Sequence, residues 1–192
     1  MKKGKIIYLN GVSSAGKTTL SKTLQERLTE PYYWMSMDTF MYMTPKKFIN
    51  NDSDENEGIW LQSIINMYYT IKMYSDMGYN TIVDDVFVDD YLPSKMLEIL
   101  HDYPALFVQV TCPLEELQRR EKERGDRDIG LAESQLPDLY PIDKTYDITV
   151  DTHANTTEEC AEKIIALLDN PDNFQAFKKL RKQSIARTLI NF

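Results

Sequence analysis

Residues 11–19 read GVSSAGKTT and directly follow the apolar run KIIYLN. Their spacing fits G-x-x-x-x-G-K-[ST], the pattern of a phosphate-binding loop between a strand and a helix. Two glycines let the backbone curl so that successive N–H groups point at phosphate oxygens, and the following helix directs its positive dipole end at the same anion. The predicted phosphate-binding residues are Gly11, Val12, Ser13, Ser14, Ala15, Gly16, Lys17, Thr18 and Thr19.

Two side chains of this loop have predicted roles of their own. We expect Lys17 to bridge the β- and γ-phosphates of a nucleotide and the Thr18 hydroxyl to coordinate Mg²⁺. The sequence contains no N-K-x-D motif that would read guanine and no L-S-G-G-Q motif of an ABC ATPase. The small size of the chain then favours a kinase that acts on a small molecule.

Such a kinase needs a group that accepts the proton of the acceptor hydroxyl. Asp38, in MDTF, stands at the end of the second apolar run. Open parallel sheets bind their ligands at this end of their strands, so we predict Asp38 as the catalytic base. The alternative is that Asp38 caps the segment that follows it.

A second acidic site, Asp84 and Asp85 in TIVDDVF, ends another apolar run. An acid at this position is predicted to contact the nucleotide-bound Mg²⁺. Because side chains alternate along a strand, one carboxylate should face the cleft and the other should point away. The pattern does not show which one faces the cleft; we select Asp85 as the metal ligand, with capping as the alternative for its neighbour.

The segment RREKERGDR, residues 119–127, has four arginines around Gly125. On a helix Arg120 and Arg124 share a face, and Arg127 follows the glycine. This arrangement favours a lid that brings guanidinium groups onto the phosphates and excludes water. The alternative is a charged surface helix whose arginines pair with neighbouring glutamates.

These residues need a sheet that brings them together. Five short apolar runs predict strands, and they alternate with segments of helical spacing, which indicates parallel β-α-β units. We therefore predict an α/β protein with a three-layer α/β/α P-loop NTPase fold, nucleoside-kinase-like, with a five-stranded parallel sheet. The polar stretch at residues 50–58, NNDSDENEG, is predicted as a mobile loop. The predicted strands are residues 5–10, 32–37, 81–87, 106–112 and 147–151.

Composition limits the class of protein. The chain has 192 residues, close to the size of one domain, and a net charge of −8, which argues against nucleic-acid binding over its whole surface. No apolar run approaches the roughly 18 residues that span a membrane. Two cysteines without metal-ligand spacing favour a reducing, cytoplasmic setting.

The charge is uneven along the chain. We predict a kinase domain at residues 1–170 and a basic helical extension at residues 171–192, packed on the domain or projecting from it. Binding of an acidic partner or nucleic acid by this extension remains an alternative to a solvated helix face. Its net charge is +4, from Asp172 against Lys178, Lys179, Arg181, Lys182 and Arg187.

Together these motifs resemble the chloramphenicol phosphotransferase family, small P-loop kinases related to adenylylsulfate and shikimate kinases. The matching stretches are YLNGVSSAGKT, MDTF, VDDVF, the segment from CP to RGDR, and YDITVDT followed by TTEECA. They cover roughly residues 5–168.

The resemblance implies ATP as donor, Mg²⁺, and transfer of the γ-phosphate to a hydroxyl group. It implies Asp38 as general base, and it places Lys17 and Thr18 in the nucleotide site. It also implies that Arg124 and Arg127 belong to the lid, whereas Arg120 is our own addition from helix geometry. Residues 152–155 are expected to contact the adenine through their backbone.

The acceptor is less well defined. Residues 41–74, rich in Met, Tyr and Phe, are expected to supply most of its pocket, but they match no chloramphenicol-binding pattern. The leading function is an ATP-dependent O-phosphotransferase acting on a small hydroxylated molecule, a chloramphenicol-type antibiotic or similar. The alternatives are a kinase of a nucleotide, nucleoside or sugar, and a nucleotide-binding regulatory protein without transferase activity.

Overall fold

The computed structural model describes residues 2–49, 53–88, 91–125, 129–141, 143 and 145–190. Within them, five strands form one parallel sheet. The strands are β1 (Ile6–Asn10), β2 (Tyr32–Ser36), β3 (Asn80–Asp85), β4 (Ala105–Thr111) and β5 (Ile148–Asp151). Their order across the sheet is β2-β3-β1-β4-β5, so β1 lies at the centre. Each predicted strand end lies within two residues of the observed one.

Eight α-helices occur in the described part of the chain: α1 (Lys17–Arg27), α2 (Met37–Met41), α3 (Asp54–Asp76), α4 (Tyr91–Leu100), α5 (Leu114–Arg124), α6 (Leu131–Gln135), α7 (Thr157–Ile165) and α8 (Ala176–Ile190). Two 3-10 turns lie at Lys46–Phe48 and Pro171–Asn173. The five-residue helices α2 and α6 were not predicted. Helices α1 and α7 pack on one face of the sheet, and α3, α4 and α8 pack on the other. The predicted three-layer α/β/α fold is therefore confirmed.

The central strand joins the two apolar layers. All five residues of β1 are buried, and alternate side chains enter opposite layers: Tyr8 one layer, Leu9 the other. The Tyr8 ring contacts Phe107 of β4 and Phe177 of α8 edge to face. Helix α8 thus packs on the sheet through Phe177, while the division of the chain at residue 170 stays a prediction.

The sheet topology sets the position of the site. The connection after β1 leads to β2 on one side, and the connection after β4 leads to β5 on the other. A crevice opens at the carboxyl ends of two neighbouring strands whose connections diverge in this way. The glycine loop follows β1, so it lies in this crevice.

Helix α3 begins inside the segment that was predicted as a mobile loop. The Ser53 hydroxyl accepts a hydrogen bond from the Asn56 N–H at 3.3 Å and caps the helix. Glu55 and Glu57 follow in the first turns, where the helix dipole favours negative charge. The loop prediction is therefore wrong for residues 54–58, because the same polar residues that discourage packing can start a helix. Residues 50–52 lie outside the described residues.

Candidate active site

The loop after β1 needs glycine at two positions for two different reasons. Gly16 caps α1 with a φ of 93°, in the left-handed region that strains other residues. At Gly11 a Cβ atom would lie 2.3 Å from the carbonyl oxygen of Val110 in β4. The loop is therefore pressed against the sheet and then turned into α1, which is the shape that directs N–H groups at an anion.

The ammonium group of Lys17 is buried against this loop. Its Nζ donates to the carbonyl oxygens of Gly11 at 2.8 Å and Val12 at 3.0 Å. It also lies 3.8 Å from Oδ1 of Asp84, and the residue is only 7% exposed. Because a buried charge is costly without partners, these contacts fix a positive charge at the inner surface of the loop.

Thr18 and Asp84 bring two oxygen groups together beside the loop. The Thr18 hydroxyl donates to Oδ2 of Asp84 at 2.7 Å. The carboxylate of Asp84 therefore contacts both of the loop side chains to which the sequence assigned a phosphate or metal role.

Asp85, the predicted metal ligand, lines the same cleft as Asp84, but its hydrogen bonds go to Tyr8 and Val86 rather than to the loop. Its assignment as metal ligand stays a prediction. Its Oδ2 accepts a hydrogen bond from the Tyr8 hydroxyl at 2.5 Å, and its Oδ1 accepts one from the Val86 N–H at 2.8 Å. The Tyr68 hydroxyl lies 3.5 Å from the same Oδ2. Burial raises the pKa of Asp85 to about 6, although the bonds from Tyr8 and Val86 act in the opposite direction.

The residues present fit a magnesium site that includes a nucleotide. Mg²⁺ prefers oxygen ligands and is usually held by one or two carboxylates together with substrate phosphates and waters. The Thr18 hydroxyl and the Asp84 carboxylate are oxygen groups of this kind. Among the described residues, no three His, Cys, Asp or Glu side chains form a cluster that could hold a metal by themselves.

Asp38 lies in the first turn of α2, half-buried at the rim of a cleft of about 380 Å³. The cap of α2 is Ser36, whose hydroxyl accepts a hydrogen bond from the Thr39 N–H at 3.2 Å. The capping alternative for Asp38 is therefore wrong. Around it the cleft is lined by Ser13, Thr18, Trp34, Met41, Tyr42, Asp84, Arg124 and Gln135, among others.

A second cleft, of about 400 Å³, lies on the other side of the loop. The Arg120 guanidinium borders it and donates to the hydroxyl and the carbonyl oxygen of Thr152, both at 3.0 Å. It also donates to the carbonyl oxygen of Ser14 at 3.4 Å and to Glu116 at 2.8 Å. Arg120 thus joins three segments: the phosphate loop, α5 and the turn after β5. His153, in the same turn, is exposed.

The arginines of α5 were predicted either to form a lid over the phosphates or to pair with glutamates on a charged surface, and the structure contains arginines both beside the clefts and on the surface. Arg119 is on the surface and pairs with Glu116 and Glu123, as expected for a charged helix face. Arg120 and Arg124 border the clefts, and Arg124 lines both of them. Arg127 lies outside the described residues, so its predicted place in a lid stays a prediction.

Helix α6 was missed by the sequence analysis, yet it contacts the phosphate loop. The buried Glu121 of α5 accepts hydrogen bonds from the N–H groups of Gly130 at 2.9 Å and Ala132 at 2.7 Å, which anchors the start of α6. At the other end of α6, Oε1 of Gln135 accepts a hydrogen bond from the Ser13 N–H at 2.7 Å. No motif in the sequence signals this contact, because it joins residues far apart in the chain.

The fold and this site define the class. A glycine loop with its lysine and threonine at the switch point of a five-stranded parallel sheet, flanked by two clefts, is the arrangement of a P-loop kinase. A model of the family described as "Chloramphenicol phosphotransferase-like protein" matches residues 4–169. The chain therefore belongs to this family, which confirms the resemblance, and it is a phosphotransferase enzyme.

Similar proteins agree with this class. "Putative O-phosphotransferase Rv2636" of Mycobacterium tuberculosis is 28% identical over 97% of this chain and 92% of its own length. An adenylyl-sulfate kinase of Clostridium acetobutylicum is 25% identical over 86% of this chain and 84% of its own. The solved structure of the M. tuberculosis APS kinase CysC in complex with AMPPNP and APS shares the fold, with a TM-score of 0.66 and 16% identity over 88% of this chain and all of that one.

No helix among the described residues combines the length and the apolar character that crossing a membrane requires.

Proposed function

We propose that this protein transfers the γ-phosphate of ATP to a hydroxyl group of a small molecule. One observation carries the proposal: Asp38 lines the same cleft as Thr18 and Asp84. A carboxylate that can accept a proton thus faces the polar groups suited to hold the transferring phosphate. The relatedness to adenylyl-sulfate kinases supports ATP as the donor.

The two clefts suggest how donor and acceptor are arranged. Adenosine would occupy the cleft of about 400 Å³, between Arg120 and the turn at Thr152. The triphosphate would follow the loop, with its terminal phosphate at the cleft of about 380 Å³. The acceptor would then enter beside Asp38, on the side that leads to solvent.

Each polar group of this arrangement has a proposed task. The Asp38 carboxylate accepts the proton of the acceptor hydroxyl as its oxygen attacks the terminal phosphorus. Lys17 and Arg124 offset the negative charge of the transferring group, which is the largest electrostatic requirement of phosphoryl transfer. Thr18 and Asp84 would hold Mg²⁺, which supplies further charge neutralisation at the phosphate oxygens when it is bound.

The lining of the acceptor cleft narrows the chemical class of the acceptor. From the segment 41–74, Met41 and Tyr42 line the cleft, together with Trp34 from β2. Several apolar residues of α3 in that segment, including Met67 and Tyr68, are buried in the core instead. A flat or partly apolar molecule with a free hydroxyl group fits such a lining. Nucleosides and sugars with an apolar substituent share this property and remain candidate acceptors.

The cellular setting belongs to the proposal as well. Cys112 and Cys160 are both free thiols, and a reducing cytoplasm maintains that state.

The direct test is an acceptor screen with ATP and Mg²⁺ that follows ADP release. The proposal predicts ADP release well above the ATPase background with at least one hydroxylated aromatic or apolar acceptor, and a phosphorylated acceptor detectable by mass spectrometry. A nucleotide-binding regulatory protein would bind ATP but give neither result with any acceptor, and that outcome would overturn the proposal.

A further inference from the structure

The hydrogen bond between Gln135 and Ser13 occupies a donor of the phosphate loop with a side chain of the protein itself. The Gln135 carbonyl oxygen accepts from the Ser13 N–H at 2.7 Å, and the residue is half-buried. Neutral amide oxygens and phosphate oxygens are both acceptors for such an N–H group. The Gln135 carbonyl oxygen therefore occupies the position in which an oxygen of a bound phosphate would accept this hydrogen bond.

The position of Ser13 indicates which phosphate this would be. Ser14, Gly16 and Thr19 line the cleft beside Arg120, whereas Ser13 lines the cleft that contains Asp38. The phosphate that is transferred must lie on the side of the acceptor. The Ser13 N–H is thus placed to donate to the terminal phosphate of the nucleotide rather than to a group at its adenosine end.

We propose that Gln135 sets the preference of this site between nucleoside triphosphate and diphosphate, because its carbonyl oxygen competes with the terminal phosphate for the Ser13 N–H. This inference rests on the proposed function, in which ATP is the donor. A triphosphate displaces the Gln135 carbonyl oxygen, whereas a diphosphate lacks the phosphate that would do so. The released side chain then presents its amide N–H groups within the acceptor cleft.

The attachment of α6 is compatible with this displacement. Glu121 accepts hydrogen bonds from Gly130 and Ala132 at the start of the helix, whereas Gln135 lies at its end. The Gln135 side chain can therefore leave Ser13 while the helix stays anchored to α5. Lys17 is arranged in a related way, since its ammonium group donates to carbonyl oxygens of the loop itself.

The test measures binding of ADP and of a non-hydrolysable ATP analogue by calorimetry. In Gln135→Ala the competing acceptor is lost, so the analogue should bind about three- to tenfold more tightly, the range expected from one neutral hydrogen bond. In Gln135→Glu a stronger, negatively charged acceptor faces the terminal phosphate, so the analogue should bind at least about tenfold more weakly. In Gln135→Ala the affinity for ADP should change by less than about twofold. In Gln135→Glu the affinity for ADP should change by a smaller factor than the affinity for the ATP analogue.

A matched control lies on the same pair of helices. Gln118 of α5 donates to Glu133 of α6 at 3.0 Å on the exposed face, away from the loop. Gln118→Ala should leave both affinities unchanged, and thermal unfolding of all variants verifies that they fold.

The alanine and glutamate variants are expected to change the affinity for the analogue in opposite directions. This distinguishes competition for the Ser13 N–H from a purely structural role of Gln135 in supporting α6. If both variants weaken the analogue and ADP equally, or if neither changes the analogue, Gln135 does not set the preference. If the wild-type protein binds neither nucleotide, the proposed function itself fails, and the role of Gln135 fails with it.

Discussion

The Thr18 hydroxyl donates a hydrogen bond of 2.7 Å to the carboxylate of Asp84, which joins the first turn of α1 to the end of β3. The neighbouring carboxylate, Asp85, instead accepts hydrogen bonds from the Tyr8 hydroxyl and the Val86 N–H. The two adjacent aspartates therefore have different partners, and substitutions at the two positions should have different effects.

Asp84→Asn should weaken the response to Mg²⁺. The substitution keeps the shape but removes the negative charge beside Thr18, so the Mg²⁺ concentration for half-maximal rate should rise about 10- to 100-fold. Titration of the acceptor-dependent rate with Mg²⁺ measures this shift. The control is Asp85→Asn, for which the half-maximal Mg²⁺ concentration should stay close to that of the wild type. Equal shifts in both variants would argue against Asp84 as the metal-side acid.

Asp85 should make the free energy of unfolding depend on pH. Its pKa is raised from 3.8 to about 6 in the folded protein, so the folded state binds the proton more tightly than the unfolded state does. The resulting stabilisation is complete below about pH 4 and is lost as the pH rises through about 6, with a total of at most about 3 kcal/mol. Urea unfolding of wild type and Asp85→Asn at several pH values measures it.

The quantity to compare is the difference in unfolding free energy between wild type and Asp85→Asn. It should decrease from pH 4 to pH 7, because only the wild type takes up a proton at Asp85 on folding between about pH 4 and pH 6. A folding reaction that takes up a proton becomes less favourable as the pH rises. A difference that stays constant over this range would show that Asp85 does not titrate there.

Arg120→Ala should weaken nucleotide binding. The substitution removes the donors to Thr152 and Ser14 that border the cleft of about 400 Å³. We expect the dissociation constant of a non-hydrolysable ATP analogue to rise about tenfold or more, since hydrogen bonds of a charged donor are among the stronger ones. Arg119→Ala is the matched control, because Arg119 shares the partner Glu116 but faces solvent. Similar losses in both variants would mean that the charge of α5, not the position of Arg120, matters.

Local patterns in the sequence predicted the parts of the site that depend on neighbouring residues. The strand, loop and helix around Gly16 and Lys17 follow from one short motif. Helical spacing predicted that Arg120 and Arg124 share a helix face, and both line the cleft of about 400 Å³, while their role in a lid stays a prediction. The five parallel strands and the two helix layers also follow from the alternation of apolar runs with helical segments, whereas the strand order β2-β3-β1-β4-β5 was not predicted.

The parts that were missed depend on contacts between distant residues. Alternation predicts that the side chains of Asp84 and Asp85 point in opposite directions, but it does not reveal that the Asp85 carboxylate binds Tyr8, which is 77 residues away. The contact of Gln135 with Ser13 spans 122 residues and starts from a helix of only five residues. Such a helix has too few turns to give an apolar period, so its packing cannot be inferred from sequence.

The most direct test of the proposed phosphoryl transfer compares Asp38→Asn with Asp76→Asn. Asp76 is an exposed aspartate of α3 that pairs with Lys72, so it controls for the loss of one carboxylate outside the site. The measurement is the acceptor-dependent rate of ADP release at saturating ATP, together with the affinity for a non-hydrolysable ATP analogue.

Asp38→Asn should lower kcat by about 10²- to 10⁴-fold, the contribution typical of a general base, and leave the affinity for the analogue close to that of the wild type. Asp76→Asn should keep the wild-type rate. An Asp38→Asn enzyme that retains its full acceptor-dependent rate would contradict the assignment of Asp38 as the base and the placement of the acceptor in its cleft.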